Sequence, residues 1–173
     1  MKIKLTLVVF ATLLSGIAHA SKTILPDACG ADKVKFNIKQ QKTDTLLLAP
    51  EDGKALIVFI ETMGRTGFAG RATVRFGMDG AWVGATRGNA YFTVLVAPGE
   101  HHLCSNADLK IGLASIKAEA GKTYYFEFKL GLAYTGTGGV AVENSSPDLT
   151  LLSDDEGKYR VRAFDLAIST PKN

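Results

Sequence analysis

His101-His102-Leu103-Cys104 is the stretch of this chain that gathers metal-ligating atoms. On a strand, alternate side chains share a face, so His102 and Cys104 point one way and His101 the other. Two ligands on one face could begin a zinc or copper site, but a closed site needs four and a catalytic one about three. The chain holds three His in all, one of them in the leader described below. A small metal-binding protein using His101 and His102 is therefore the alternative expectation. The simpler one is a pair of histidines at a half-exposed strand end, with no metal and no cofactor.

The two cysteines, Cys29 and Cys104, carry a firmer expectation. In an oxidising compartment an even pair is more often a disulfide than two free thiols. Such a bridge would pin the segment before the first strand to a core strand. Chain entropy gives about 4 kcal/mol for closing a loop of that length. A bridged Cys104 is also withdrawn from metal binding.

Other residue sets could in principle do chemistry. Ser, Asp and His all occur, but there is no G-x-S-x-G elbow, so a hydrolase is a lesser alternative and no catalytic residue is assigned. Asp154, Asp155 and Glu156 could pair as acid and base or hold Ca²⁺; beside a helix start they read more simply as a solvated cap. The Gly-rich residues 64–70 and 131–147 read as loops, and the first lacks the Gly-Lys-Ser/Thr ending that reaches phosphates. Arg65, Phe68, Arg71, Arg75, Trp82 and Arg87 surround one Asp-Gly turn. On one face they could meet an acidic glycan, a lipid headgroup or an acidic protein. A solvated sheet face is the plainer reading.

The elements that must position these residues follow from composition and patterning. The chain has 173 residues, 46% hydrophobic and 21% charged, which fits one globular domain. Residues 1–20 have the three parts of a signal peptide: Lys2 and Lys4, an apolar run too short to span a bilayer, and Ala18-His19-Ala20 before a cut. Cleavage after Ala20 would leave a domain of residues 21–173, periplasmic or secreted, with no stable membrane anchor. Without Lys2 and Lys4, the 20 basic residues fall to 18 against 17 acidic ones, so no nucleic-acid-binding field is expected.

Period-two alternation dominates the mature chain. Val34, Phe36 and Ile38 alternate with Lys33, Lys35 and Lys39, as on a lysine-protected edge. Residues 55–60 are continuously apolar, as in a central strand buried on both faces. Asp79-Gly80 between two alternating runs predicts a hairpin, since both turn positions must accept positive φ. Ser153 followed by Glu156 has capping-box spacing, which predicts a short helix over residues 156–164, with a strand as the alternative. Turn signals spaced by about 8–12 residues predict an all-β, mainly antiparallel sandwich of about seven to nine strands, with a short C-terminal helix or extra strand. The expected core is Phe36, Leu56, Val58, Val74, Phe76, Trp82, Phe92, Val94, Tyr124, Phe126 and Phe128.

Four motifs occur in order: Met78-Asp79-Gly80-Ala81-Trp82-Val83-Gly84, Gly88-Asn89-Ala90-Tyr91-Phe92, Pro98-Gly99-Glu100-His101-His102-Leu103-Cys104 and Ala120-Gly121-Lys122-Thr123-Tyr124-Tyr125. Across residues 53–130 this set resembles the domain-of-unknown-function 2846 family of bacterial exported proteins and lipoproteins, and its turn grammar is similar to that of PEGA domains. The resemblance implies a β-sandwich outside the cytoplasm and brings no reaction, ligand or catalytic residue. The chain departs from the lipoprotein members by lacking a lipidated Cys. The expected function is an exported, non-enzymatic binding or structural module of the bacterial cell envelope, whose partner is an envelope protein or a glycan.

Overall fold

The computed structural model describes residues 25–31, 34–42, 49–63, 72–107, 110–129, 132–134, 140–142 and 149–172. The strands are β1 (Phe36–Gln41), β2 (Ala55–Thr62), β3 (Thr73–Met78), β4 (Ala81–Arg87), β5 (Ala90–Val96), β6 (Gly99–Asn106), β7 (Ile111–Ala118) and β8 (Thr123–Lys129). They are followed by β9 (Leu132–Tyr134), β10 (Val140–Val142), β11 (Leu149–Leu152), the helix α1 (Asp154–Ala163) and β12 (Asp165–Pro171). A six-stranded sheet in the order β1-β12-β5-β2-β8-β11 faces a four-stranded sheet in the order β4-β3-β6-β7, and β9 and β10 pair with each other. The expected all-β sandwich is what forms.

The continuous apolar run is the centre of the larger sheet. β2 lies between β5 and β8, and Ala55–Ile60 are buried on both faces. Ala55, Ile57 and Phe59 face the smaller sheet, while Leu56, Val58 and Ile60 face outward, where Val161 of the helix packs with them. Between the sheets Phe59 meets Phe76 at 5.0 Å and Phe92 at 5.2 Å, and Gly84 leaves room for the Phe92 ring where a Cβ would collide. Aromatic groups buried this way contribute about 3–5 kcal/mol each, judged by truncation to Ala.

Turn chemistry fixes the smaller sheet. Asp79 (φ 52°) and Gly80 (φ 85°) both take the left-handed conformation that joins β3 to β4. The β3–β4 register then shifts between Phe76 and Gly77, leaving Gly77 opposite Trp82. The edge of β4 is closed by the larger sheet: Ser169 Oγ accepts from the Ala85 N–H at 3.0 Å, and Gln40 Nε2 donates to the Arg87 carbonyl.

Three expectations need correction. Among the described residues the strands number twelve rather than seven to nine, because β9 and β10 fall inside the stretch read as a loop and the C-terminal region adds more. That region forms both a helix and a strand, and the helix begins at Asp154 rather than residue 156. β12 runs parallel to β5, as β2 does to β8, while the other pairings are antiparallel, so the fold is mainly antiparallel as expected. Trp82 is absent from the core: the bulge turns its ring to the outer face of the smaller sheet, under the chain's N-terminal segment. Val94 and Tyr124 are only partly buried against the core.

Candidate functional site

Residues 25–31 form a strap across the outer face of the smaller sheet. Cys29 and Cys104 are disulfide-bonded with their Cα atoms 5.2 Å apart, as the cysteine count predicts. Polar contacts continue the attachment: Gly80 N–H donates to the Ala28 carbonyl at 3.3 Å, and Trp82 Nε1 donates to the Ala31 carbonyl at 2.7 Å. Two glycines allow this approach. A Cβ on Gly77 would lie 3.0 Å from the Ala28 oxygen, and one on Gly30 would overlap the Trp82 ring.

The strap stops short of β7 and leaves an open groove of about 820 Å³. Its walls are Pro26, Asp27 and Ala28 from the strap, Asp79 from the hairpin, and His102 and Leu113–Ser115 from β6 and β7. Leu113 is 51% exposed, an apolar side chain left facing solvent beside polar walls. The occupant such walls would take has an apolar group for Leu113 and hydrogen-bonding groups for Asp27, Asp79, His102 and Ser115.

On the other face of β6 from this groove, His101 Nδ1 lies 2.7 Å from Oδ2 of the groove-lining Asp79, and its Nε2 lies 2.9 Å from the Ala97 carbonyl oxygen. Asp79 Oδ1 accepts from the His102 backbone N–H at 2.8 Å. Burial alone would lower the His101 pKa, but the Asp79 bond, the Ala97 carbonyl and the carboxylate charge outweigh it and raise it above 6.5. Burial likewise pushes Asp79 up, yet its bonds to His101 and His102 hold it below the ordinary carboxyl value.

His102 and Cys104 share the outer face as expected, with His101 on the other, but the disulfide withdraws Cys104 from ligation. His102 instead lies 3.9 Å from Glu100. Among the described residues, no three His, Cys, Asp or Glu side chains converge as a metal site would require. Of the arginine face, Arg65, Phe68 and Arg71 lie outside the described residues. Arg75 and Trp82 do come together, with the guanidinium 4.9 Å from the ring centroid. That guanidinium also donates to Asn106 Oδ1 at 2.6 Å and to the Val34 carbonyl at 3.5 Å, so it ties β3 to β6 and to the segment before β1 rather than standing open for an anion. Arg87, farther along the sheet, donates to Thr73 Oγ1 at 3.0 Å.

Two buried acids went unread in the sequence. Glu61 is fully buried between the sheets, where it accepts from Thr86 Oγ1 at 2.5 Å and from the Gly88 N–H at 2.8 Å. Burial pushes its pKa up to about 8, against the lowering effect of those bonds and of Arg87, so it keeps its proton at neutral pH. Glu127, on the outer face of the larger sheet, is met by Arg160 Nε at 2.8 Å, Lys129 Nζ at 3.0 Å and Thr62 Oγ1 at 2.6 Å. An acid closing an apolar run at a core-facing position, as Glu61 does after Ile57 and Phe59, is the signal that could have found the first. Asp79 drew notice as a turn residue alone, because its pairing with His101 spans 22 positions.

The chain is 24% identical over 147 residues to an uncharacterised protein of Haemophilus influenzae, covering 84% of this chain and 80% of that protein. No family model matches the chain. No solved structure matches it.

Proposed function

We propose that the protein is an exported, non-enzymatic β-sandwich module of the cell envelope that binds an envelope protein or glycan in the groove beside the strap. The observation carrying this reading is the disulfide between Cys29 and Cys104, which holds one wall of an open groove against a half-exposed Leu113. A covalent tether of this kind persists where thiols are oxidised, which favours a site of action outside the cytoplasm. The signal-peptide pattern of residues 1–20 and the resemblance across residues 53–130 point the same way. Among the described residues, no helix is long and apolar enough to cross a membrane. The charged groups beside the groove support binding over catalysis, since both ring nitrogens of His101 and both oxygens of Asp79 are already engaged.

The test is photo-crosslinking in fractionated cells, with a reactive residue placed at Ser115 and alkylation before lysis. The expected result is a disulfide-bonded protein in an exported fraction, joined at residue 115 to an envelope component, with loss of that product in Leu113→Asp. Two alkylated thiols in a cytoplasmic protein would sink the reading.

One arrangement favours a second reading, a hydrolase. Ser115 sits opposite His102 across β6 and β7, and Glu100 is 3.9 Å from His102. Turnover of simple esters that disappears in Ser115→Ala would establish it; an inert wild-type protein leaves binding as the function.

A further inference from the structure

We propose that His101 is a pH-sensitive clamp that sets the wall of the groove. The inference begins with hydrogen-bond arithmetic. The Ala97 carbonyl oxygen can only accept, so Nε2 must carry a proton. Asp79 already accepts the His102 N–H through Oδ1, and as a carboxylate it also accepts through Oδ2, so Nδ1 must carry one too. His101 is therefore an imidazolium bridging two turns, the Asp79-Gly80 hairpin and the bend from β5 into β6.

The bridge reaches the groove through bonded neighbours. Asp79 lines the groove and holds the backbone of His102, which lines it as well. Next to it, Gly80 N–H holds the Ala28 carbonyl of the strap. When His101 loses a proton, one ring nitrogen turns a lone pair toward an oxygen lone pair, and one of the two bonds is gone. The hairpin tip keeps its two bonds to His102, one of them from the Asp79 N–H to the His102 carbonyl at 2.9 Å, but its bridge to the β5–β6 bend is gone. The Ala28 carbonyl bonded to Gly80 shifts with the tip while the disulfide stays closed. The other charged groups around the clamp are Glu100 and His102 on β6, Lys117 on β7, and Asp27 on the strap.

The sign follows from the two partners. The folded pKa of His101 is raised, so its contribution is complete below 6.5 and is lost as pH rises through the raised value. That of Asp79 is lowered, so its contribution fails only when pH falls through the lowered value. The clamp is closed between these limits and opens on the alkaline side. This is a regulation of the groove taken above as the binding surface, and it rests on that reading only for its use. The movement is measured without any ligand, so the two can fail separately.

The experiment is an NMR titration of the purified, oxidised protein, following the His101 ring nitrogens and the backbone amides of Ala28, Gly80 and His102. The expected result is a His101 ring protonated on both nitrogens at pH 6, with a midpoint above 6.5 shared by the three amides. That shared transition persists in His102→Gln and vanishes in His101→Gln. A midpoint at or below 6.5, or amides that do not follow the His101 ring, overturns the clamp. The wild-type titration decides this even if a variant fails to fold.

Discussion

The two outer faces of the sandwich are covered in opposite ways. Over the larger sheet lies α1, attached through Val161, which packs with Leu56, Val58, Ile60, Tyr91 and Tyr125, through Gly157 against Tyr125 and through Arg160 on Glu127, and the helix has its own cap. Over the smaller sheet lies a strap without regular structure, attached by one disulfide and a few hydrogen bonds, with Cys29 its one buried apolar residue among those described. The difference shows what a short segment needs in order to stay down. Ten residues with internal hydrogen bonds, Gly157 and Val161 seated on the sheet and an Arg160–Glu127 ion pair can hold without a covalent tie. Seven residues without regular structure, of which only Cys29 is fully buried, are held by a covalent tie.

Removing that tie has the largest expected effect on the comparison. Replacing both Cys29 and Cys104 by Ser should lower stability by about 4 kcal/mol on the chain-entropy account. The loss should be one-sided in its local signature. Trp82 is the single tryptophan and lies under the strap, so its fluorescence should shift to the red under conditions where the protein is still folded. Amide exchange in α1 should rise only as far as global stability falls. An unchanged Trp82 signal would show that the hydrogen bonds hold the strap without the disulfide.

A smaller effect is expected on the helical cover. Gly157 lies against Tyr125, and a Cβ there would overlap the ring. Alanine improves intrinsic helix propensity by about 0.8–1 kcal/mol. Overpacking against a well-filled neighbour typically costs about 1–3 kcal/mol. Gly157→Ala should therefore destabilise by about 1 kcal/mol in chemical denaturation, with Trp82 fluorescence unmoved. A gain in stability would mean that the helix can lift from the sheet at little cost, and the contrast between the covers would narrow.

The smallest effect concerns the cap. Ser153 Oγ accepts from the Glu156 N–H at 3.4 Å, and Glu156 Oε2 accepts from the Ser153 N–H at 3.2 Å. The bond from the Ser153 hydroxyl is the largest of the causes holding the Glu156 pKa below its ordinary value. Ser153→Ala should cost about 1 kcal/mol or less, seen as faster amide exchange in the first turn of α1 and nowhere in the strap.

Local chemistry was legible in the sequence where the cause is itself local. The Asp79-Gly80 turn needs two positive φ angles, and both residues announce that. β2 is apolar at successive positions because both of its faces are buried, and the cap of α1 is written in Ser153 and Glu156. The oxidised pair was legible because two cysteines in a chain expected to be exported have few alternatives. What escaped depends on partners distant in sequence. Nothing in residues 165–171 says that they enter the larger sheet between β1 and β5, because sheet order is not a property of a strand's own alternation. Trp82 looked like core because it is large and apolar; one extra residue in β4 sent it to the other face. The groove escaped for the same reason, since its walls come from the strap, a hairpin tip and two strands.

The place of β12 has a consequence for how the chain reaches this state. β1 is joined to the larger sheet through β12, in a register running from Phe36 opposite Pro171 to Gln41 opposite Leu166. Among the described residues β1 therefore has no ladder partner until β12 has been made. Pairing at such separation must meet the entropy of closing a very long loop before any contact repays it, which makes completion of this sheet slow and late. The smaller sheet, built from the neighbouring pairs β3–β4 and β6–β7, can form well before the larger one is complete.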